Sequence, residues 1–338
     1  ESQLIAGAIT LRHDPVFWRS VDGGTAGPLD FYPLLPAAWA DGFFSYTIAR
    51  LIGLAATFAT IVFAGETLAI VAGCSIARIA VLPAVAFYAL TTSPDFVHCS
   101  TEVMPVLLLA AAGYAAVGGV GPPSRSRLWT VALLLGGVPW AKPQAAPLAV
   151  ALWALVAWRE CRAGRAASLI QLIGAALLPA VACFAMAAST GQTRHMVVPY
   201  LLRNLNYVRE APLPWAGRVE LQWQNALTDG FLALWLAGTA LFAVVALLRL
   251  HRAAAPQRRA VLAAGVLLVI AGWSAFAPSR PSTHHLLLVV VPLIWVGGMA
   301  LAVAGSAPVA PMRRLVVAGL FLGCGLLPQL VWRAKAGD

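Results

Sequence analysis

Apolar runs of roughly 20 residues, the length that crosses a bilayer core, recur from Ser45 to the end of this chain. That recurrence fixes the solvent the chain folds in. Hydrophobic residues make up 60% of the sequence and charged residues 11%, whereas a soluble domain carries about a quarter charged residues. The expected fold class is therefore an all-α polytopic membrane protein, with spans at 45–65, 76–92, 103–120, 128–158 (broken), 167–189, 230–250, 260–278, 285–305 and 315–332.

Charge gives these spans a sidedness. Arg125 and Arg127, then Arg159, Arg162 and Arg165, then Arg249, Arg252, Arg258 and Arg259, then Arg313 and Arg314 fall in alternate loops, which the positive-inside rule places in the cytoplasm. Asp14, Asp22, Asp30, Asp41, Asp95, Glu102, Glu210, Glu220 and Asp229 occupy the other loops and are expected outside. The net charge of +10 is spread in short clusters between apolar runs. That pattern suits anionic lipid and argues against nucleic acid. Five cysteines show no CxxC and no zinc spacing, so neither a disulfide framework nor a zinc site is expected.

The segment 128–158 tests the topology, because Arg127 and Arg159 both belong to the cytoplasmic set. It must enter and return, with Pro139, Pro143 and Pro147 as breaks and Lys142 at the apex. Each half reaches about 22 Å, short of a ~30 Å core, so the apex has to line protein or a wet cavity. A single kinked span is the alternative, but it would reverse every later loop and put the densest Arg clusters outside; Lys142 itself could snorkel to an interface.

Before the first span, residues 14–36 read DPVFWRSVDGGTAGPLDFYPLLP, and with Asp41 just beyond they hold four of the thirteen acids. Either this is a solvated connector or it carries chemistry at the membrane surface. Leu4, Ile5, Ala8 and Ile9 predict a short interfacial helix, with Gln3, Gly7 and Thr10 opposite. Residues 31–40 predict a second, rich in aromatics. A single membrane domain is expected over 1–338: an outer loop at 1–44 with two juxtamembrane helices, then a multi-span bundle at 45–338 with a long outer loop at 190–229. The sequence opens on Glu1 without a signal-like stretch, so a first span is expected upstream. Arg194, Arg203, Arg209 and Arg218 in the long outer loop run against the positive-inside trend, which an anionic ligand or pairing with nearby acids would explain.

Five short motifs resemble the GT-C fold glycosyltransferases, nearest in pattern to the aminoarabinose and protein O-mannosyl transferase group. They are Glu1-Ser2-Gln3, the Gly27-Pro28-Leu29 turn before an aromatic helix, Ala49-Arg50-Leu51, Trp140-Ala141-Lys142-Pro143, and PSTHHLLLVVVP at 281–292. The resemblance implies a GT-C-like transmembrane bundle. It also implies transfer of a sugar, with inversion, from a polyprenyl-phosphate donor to an acceptor lipid, glycan or protein, on the outer face of a bacterial inner membrane. It makes Glu1 the second member of an Asp-Glu pair whose Asp precedes the sequence given. It maps a second catalytic acid onto Asp22 before Asp30, and leaves a divalent cation open as a ligand of Asp22.

Such a transfer needs a carboxylate to take the acceptor's proton and cations to receive the departing phosphate. Lys142, Arg194, Arg203, Arg280, His284 and His285 are the candidates for the cations, although the two histidines could equally cap a span. A transporter or flippase of a lipid-linked or small polar substrate is the alternative; it would place ionisable groups at mid-membrane and often shows repeated halves. The sequence shows no repeat.

Overall fold

The computed structural model describes residues 1–304 apart from 22–23, 41–43, 119–122, 210–212 and 279–280, and apart from the side chains at 207–209. Every regular element among the described residues is helical. Expectations for Asp22, Asp41, Arg280, the Arg209 side chain and the span at 315–332 fall outside them.

The first segment folds as α1 (Ser2–His13), α2 (Pro28–Phe31), a 3-10 turn (Tyr32–Leu34) and α3 (Leu35–Ala40). Leu4, Ile5, Ala8 and Leu11 form the inward face of α1 and pack with Phe17, Phe31 and Leu34. One expectation is corrected. Ile9 is exposed and Gly7 faces inward, because Leu4, Gly7, Ala8 and Leu11 share one face at i, i+3, i+4 and i+7. The Phe31 ring, 2.2 Å from where a Gly7 Cβ would stand, leaves room there for glycine alone.

The bundle follows as α4 (Tyr46–Ala72), α5 (Cys74–Leu90), α6 (Pro94–Val97), α7 (Val103–Val117), α8 (Arg125–Ala141), α9 (Ala146–Arg162) and α10 (Ala167–Ser189). Next come α11 (Thr193–His195), a π-helical stretch (Met196–Leu202), α12 (Arg203–Arg209), α13 (Trp215–Thr228), α14 (Gly230–Arg249) and α15 (Ala255–Phe276). A 3-10 segment (Thr283–Val289) then leads into α16 (Val290–Ala304). Among the described residues five helices are long and apolar enough to cross a membrane, at Tyr46–Ala72, Ala167–Ser189, Gly230–Arg252, Ala255–Phe276 and Thr283–Ala304. The chain is an all-α membrane protein.

Three boundaries shift from expectation for local reasons. Helix α4 runs past Gly65 to Ala72, since Glu66 is exposed on its surface and does not have to end it. The next helix starts after Gly73 alone, whose φ of 98° turns the chain in a conformation closed to most side chains. Helix α15 begins at Ala255, ahead of the expected 260, because Pro256 suits a first turn and the Gln257 side chain accepts from Ala254 N at 3.3 Å.

The broken segment is a hairpin. Arg127 at the start of α8 donates to Ala115 O (3.1 and 3.3 Å), and Arg159 near the end of α9 donates to Ala116 O (2.7 Å). Both ends of 127–159 therefore meet the same end of α7. Its apex, Lys142, meets Thr101 and Glu102 at the other. Gly136 lets α8 close on α10, where an added Cβ would stand 2.1 Å from Ala176 O. At the centre lies α16, every residue of which is buried, as expected of a helix that is apolar on all sides.

Candidate functional site

The Gly27-Pro28-Leu29 turn and the Trp140-Ala141-Lys142-Pro143 break, far apart in sequence, pack against each other. Gly27 N donates to Ala141 O at 2.7 Å, and a Cβ on Gly27 would stand 2.0 Å from Trp140 O and 2.3 Å from the Tyr200 hydroxyl. Only glycine fits. Tyr200 completes the joint by donating to Pro139 O at 2.6 Å, a carbonyl at the end of the Pro-broken helix. Trp18 stacks edge-on to Trp140 from a left-handed backbone (φ 65°), a costly conformation for a large residue, and its buried indole Nε1 has no partner among the described residues.

This docking carries Asp30 inward. Its carboxyl is 2% exposed, and neither oxygen has a hydrogen-bond partner among the described residues. Burial raises its pKa well above the usual carboxylate range; Lys142 pulls it back, and the charge on Glu102 pushes it further up.

Glu102 stands just ahead of α7 and is fully buried. Lys142, 2% exposed, donates from Nζ to Thr101 Oγ1 at 2.5 Å and lies 2.5 Å from Glu102 Oε1. The contact with Glu102 is ionic rather than a directed hydrogen bond, since Oε1 has no well-aligned donor. Burial opposes ionisation of Glu102, but Lys142 and then His284 and His285 outweigh it, and its pKa is lowered. Both imidazoles place Nε2 3.9 Å from Glu102 Oε1. His285 Nδ1 accepts from Ser282 N at 3.3 Å, which leaves the proton on Nε2, facing the carboxylate. His98 joins the edge of the group: its Nδ1 bonds Pro94 O at 2.6 Å and its ring stands 6.4 Å from that of His284.

Glu102, His284 and His285 offer three ligand atoms within 4.8 Å of one another. The fit to a cation is poor, because the Lys142 ammonium already holds the carboxylate oxygen a metal would need. The divalent cation considered for Asp22 lies outside the described residues.

Beside the joint lies a cavity of about 830 Å³, walled by Trp140, Leu201, Leu205 and Trp273, with Gln144 and Asn204 among its few polar members. Asn204 donates to Gly24 O at 3.0 Å and so ties the π-helical region to the acidic loop.

Of the residues singled out from sequence, Lys142, His284 and His285 meet around Glu102, and Asp30 feels the charges of Lys142 and Glu102. Glu1 does not join them. Its carboxylate accepts from Arg50 Nε (3.2 Å) and Nη2 (3.1 Å), so it couples the opening turn to α4. Arg194 and Arg203 are exposed and make no hydrogen bond or ion pair with Asp30, Glu102 or Lys142. Arg218, read as a ligand or ion-pair group, instead donates to Ala277 O (2.5 Å) and Leu213 O (3.0 Å). Glu102, Thr101 and His98 were missed. The signal for Glu102 was its place, the last residue before an apolar helix, in the loop opposite the Lys142 apex.

Compared with known proteins, the chain matches no family model, no curated protein and no solved structure.

Proposed function

We propose that this protein is an inverting membrane glycosyltransferase that moves a sugar from a polyprenyl-phosphate donor to an acceptor lipid, glycan or protein. One observation carries the reading: a buried, unpartnered carboxyl at Asp30 beside the Lys142–Glu102 pair, next to a largely apolar cavity. In the proposed step an acceptor hydroxyl oxygen bonds to the anomeric carbon and its proton passes to the Asp30 carboxylate. The bond from that carbon to the phosphate oxygen breaks, and the electron pair leaves with the phosphate. Lys142 and His284 offer cationic or N–H donors to the leaving phosphate, and the cavity walled by Trp140 and Trp273 suits the prenyl chain. A carboxyl whose pKa is raised toward the working pH makes a stronger base than a solvated one. Glu102 holds Lys142 in place. The expected setting is the outer face of a bacterial inner membrane, where the acidic loops gather.

The transporter or flippase reading draws on the broken hairpin and its buried ion pair, but that pair lies at one end of α7 rather than at its middle. The test is sugar transfer by purified Asp30→Asn and Asp22→Asn variants. A loss of about 10²- to 10⁴-fold for Asp30→Asn, the usual range for a general base, is expected. Turnover of Asp30→Asn within a few-fold of wild type, with the large loss in Asp22→Asn, would move the base to Asp22.

A further inference from the structure

At the opposite end of the bundle a second cavity of about 340 Å³ opens between α4, α7, α9, α15 and α16. It is separated from Glu102 by the length of α7, about 20 Å at 1.5 Å per residue. Its walls are apolar: Leu68, Leu152, Leu267, Trp295 and Met299. Trp295 has already spent its one polar atom, donating from Nε1 to Ala64 O at 3.3 Å. The rim is different. Arg159 and Arg259 line it, with the exposed side chains of Val71 and Trp158 beside them.

The rim arginines have capacity to spare. Arg159 donates from Nη1 to Ala116 O (2.7 Å) and from Nε to Glu160 Oε1 (3.3 Å), while its buried Nη2 has no partner among the described residues. The Arg259 side chain makes a long hydrogen bond, from Nε to Ala255 O at 3.4 Å. Glu160, next to Arg159 in the chain, is held by Arg165 through Oε2 (2.7 Å) and Oε1 (2.9 Å). With Arg127 and Arg162 nearby, cations outnumber that one carboxylate. An apolar slot with one unpartnered guanidinium nitrogen on Arg159 and an exposed Arg259 at its mouth complements one chemistry, an amphiphile with an anionic head. Its volume lies within the roughly 300–1,000 Å³ of small-ligand sites.

We infer that this cavity is a binding site for an anionic phospholipid, with one acyl chain in the slot and the phosphate on Arg159 and Arg259. The inference does not rest on the proposed transfer reaction. Its test uses the full chain in nonionic detergent, with native mass spectrometry reading bound phosphatidylglycerol, phosphatidylcholine as the zwitterionic control and glycerol phosphate as a headgroup without a tail. Wild type should hold phosphatidylglycerol roughly thirtyfold more tightly than R159Q/R259Q, at about 1 kcal/mol per arginine. A263F, which fills the slot from a partly exposed position and leaves both arginines, should also lose it, and this arm stands even if the double variant fails to fold. Equal binding by wild type and A263F, equal binding of the two phospholipids, or competition by glycerol phosphate would each overturn the site.

Discussion

Asp30 is a residue that the fold alone has reason to avoid. A buried carboxyl without a partner costs stability whenever it ionises. With its folded pKa raised above the unfolded value, the protonated form is favoured on folding. The contribution is fully present below the unfolded pKa and is lost as pH rises toward the folded one. Asp30→Asn should therefore melt at or above the wild-type temperature at neutral pH, with the advantage shrinking as pH falls toward 4; a variant that melts well below wild type at pH 7 would show that the ionised carboxylate has a partner and stabilises the fold. Lys142 behaves in the opposite way. Removing it leaves Glu102 buried and uncompensated, which costs about 3–5 kcal/mol. Lys142→Met should lower the melting temperature sharply and Lys142→Met/Glu102→Met should recover most of it; equal losses in the two proteins would mean that the pair is not the source. At this scale the sequence was only partly legible. Asp22 and Asp30 stand in the same acidic run, and what separates Asp30 from a solvated acid is the docking of Gly27 on Ala141, a contact between segments more than a hundred residues apart. Glu102 looked like any loop acid because its partners lie on two other loops.

Elements that follow one-dimensional rules were easier to read. The hairpin of α8 and α9 was legible because arginines at 127 and 159 had to share a side, and they do, on neighbouring carbonyls of α7. Helix α1 was legible in kind but its facing was misassigned: Leu4, Gly7, Ala8 and Leu11 share one face at i, i+3, i+4 and i+7, and the Phe31 ring against Gly7 explains why the residue there is a glycine. The long polar loop was misread at Arg218, whose partners are carbonyls that no charge count reveals. The joint between the α2 turn and the apex of the hairpin is the element on which the candidate site depends. Gly27→Ala puts a methyl 2.0 Å from Trp140 O, and the forced shift should cost about 1–3 kcal/mol. The turn should undock, releasing Asp30 to solvent. Protection of the backbone amides at 27–31 from hydrogen exchange should fall in this variant while α14 to α16 stay protected; unchanged protection at 27–31 would mean that the turn holds without the close approach.

For the molecule as a whole, the apolar runs were enough to state an all-α membrane bundle, and boundaries moved where a glycine turn, a capping Pro or a tolerated surface acid intervened. The sorting of charge also survives in three dimensions. Arg127, Arg159 and Arg259 gather at one end, while Asp30, Glu102 and Lys142 gather at the other. The first set frames an apolar slot, the second a buried centre built from three separate segments. The central claim is that the second set breaks a glycosidic phosphate bond. Its most direct test is to reconstitute the wild-type chain in vesicles with polyprenyl-phosphate sugars extracted from membranes and to follow the lipids by mass spectrometry. Free polyprenyl phosphate should accumulate while the mass of one sugar appears on another molecule, and Asp30→Asn should slow both by about 10²- to 10⁴-fold. Donor that crosses the bilayer with its sugar still attached, and no polyprenyl phosphate released, would contradict that claim.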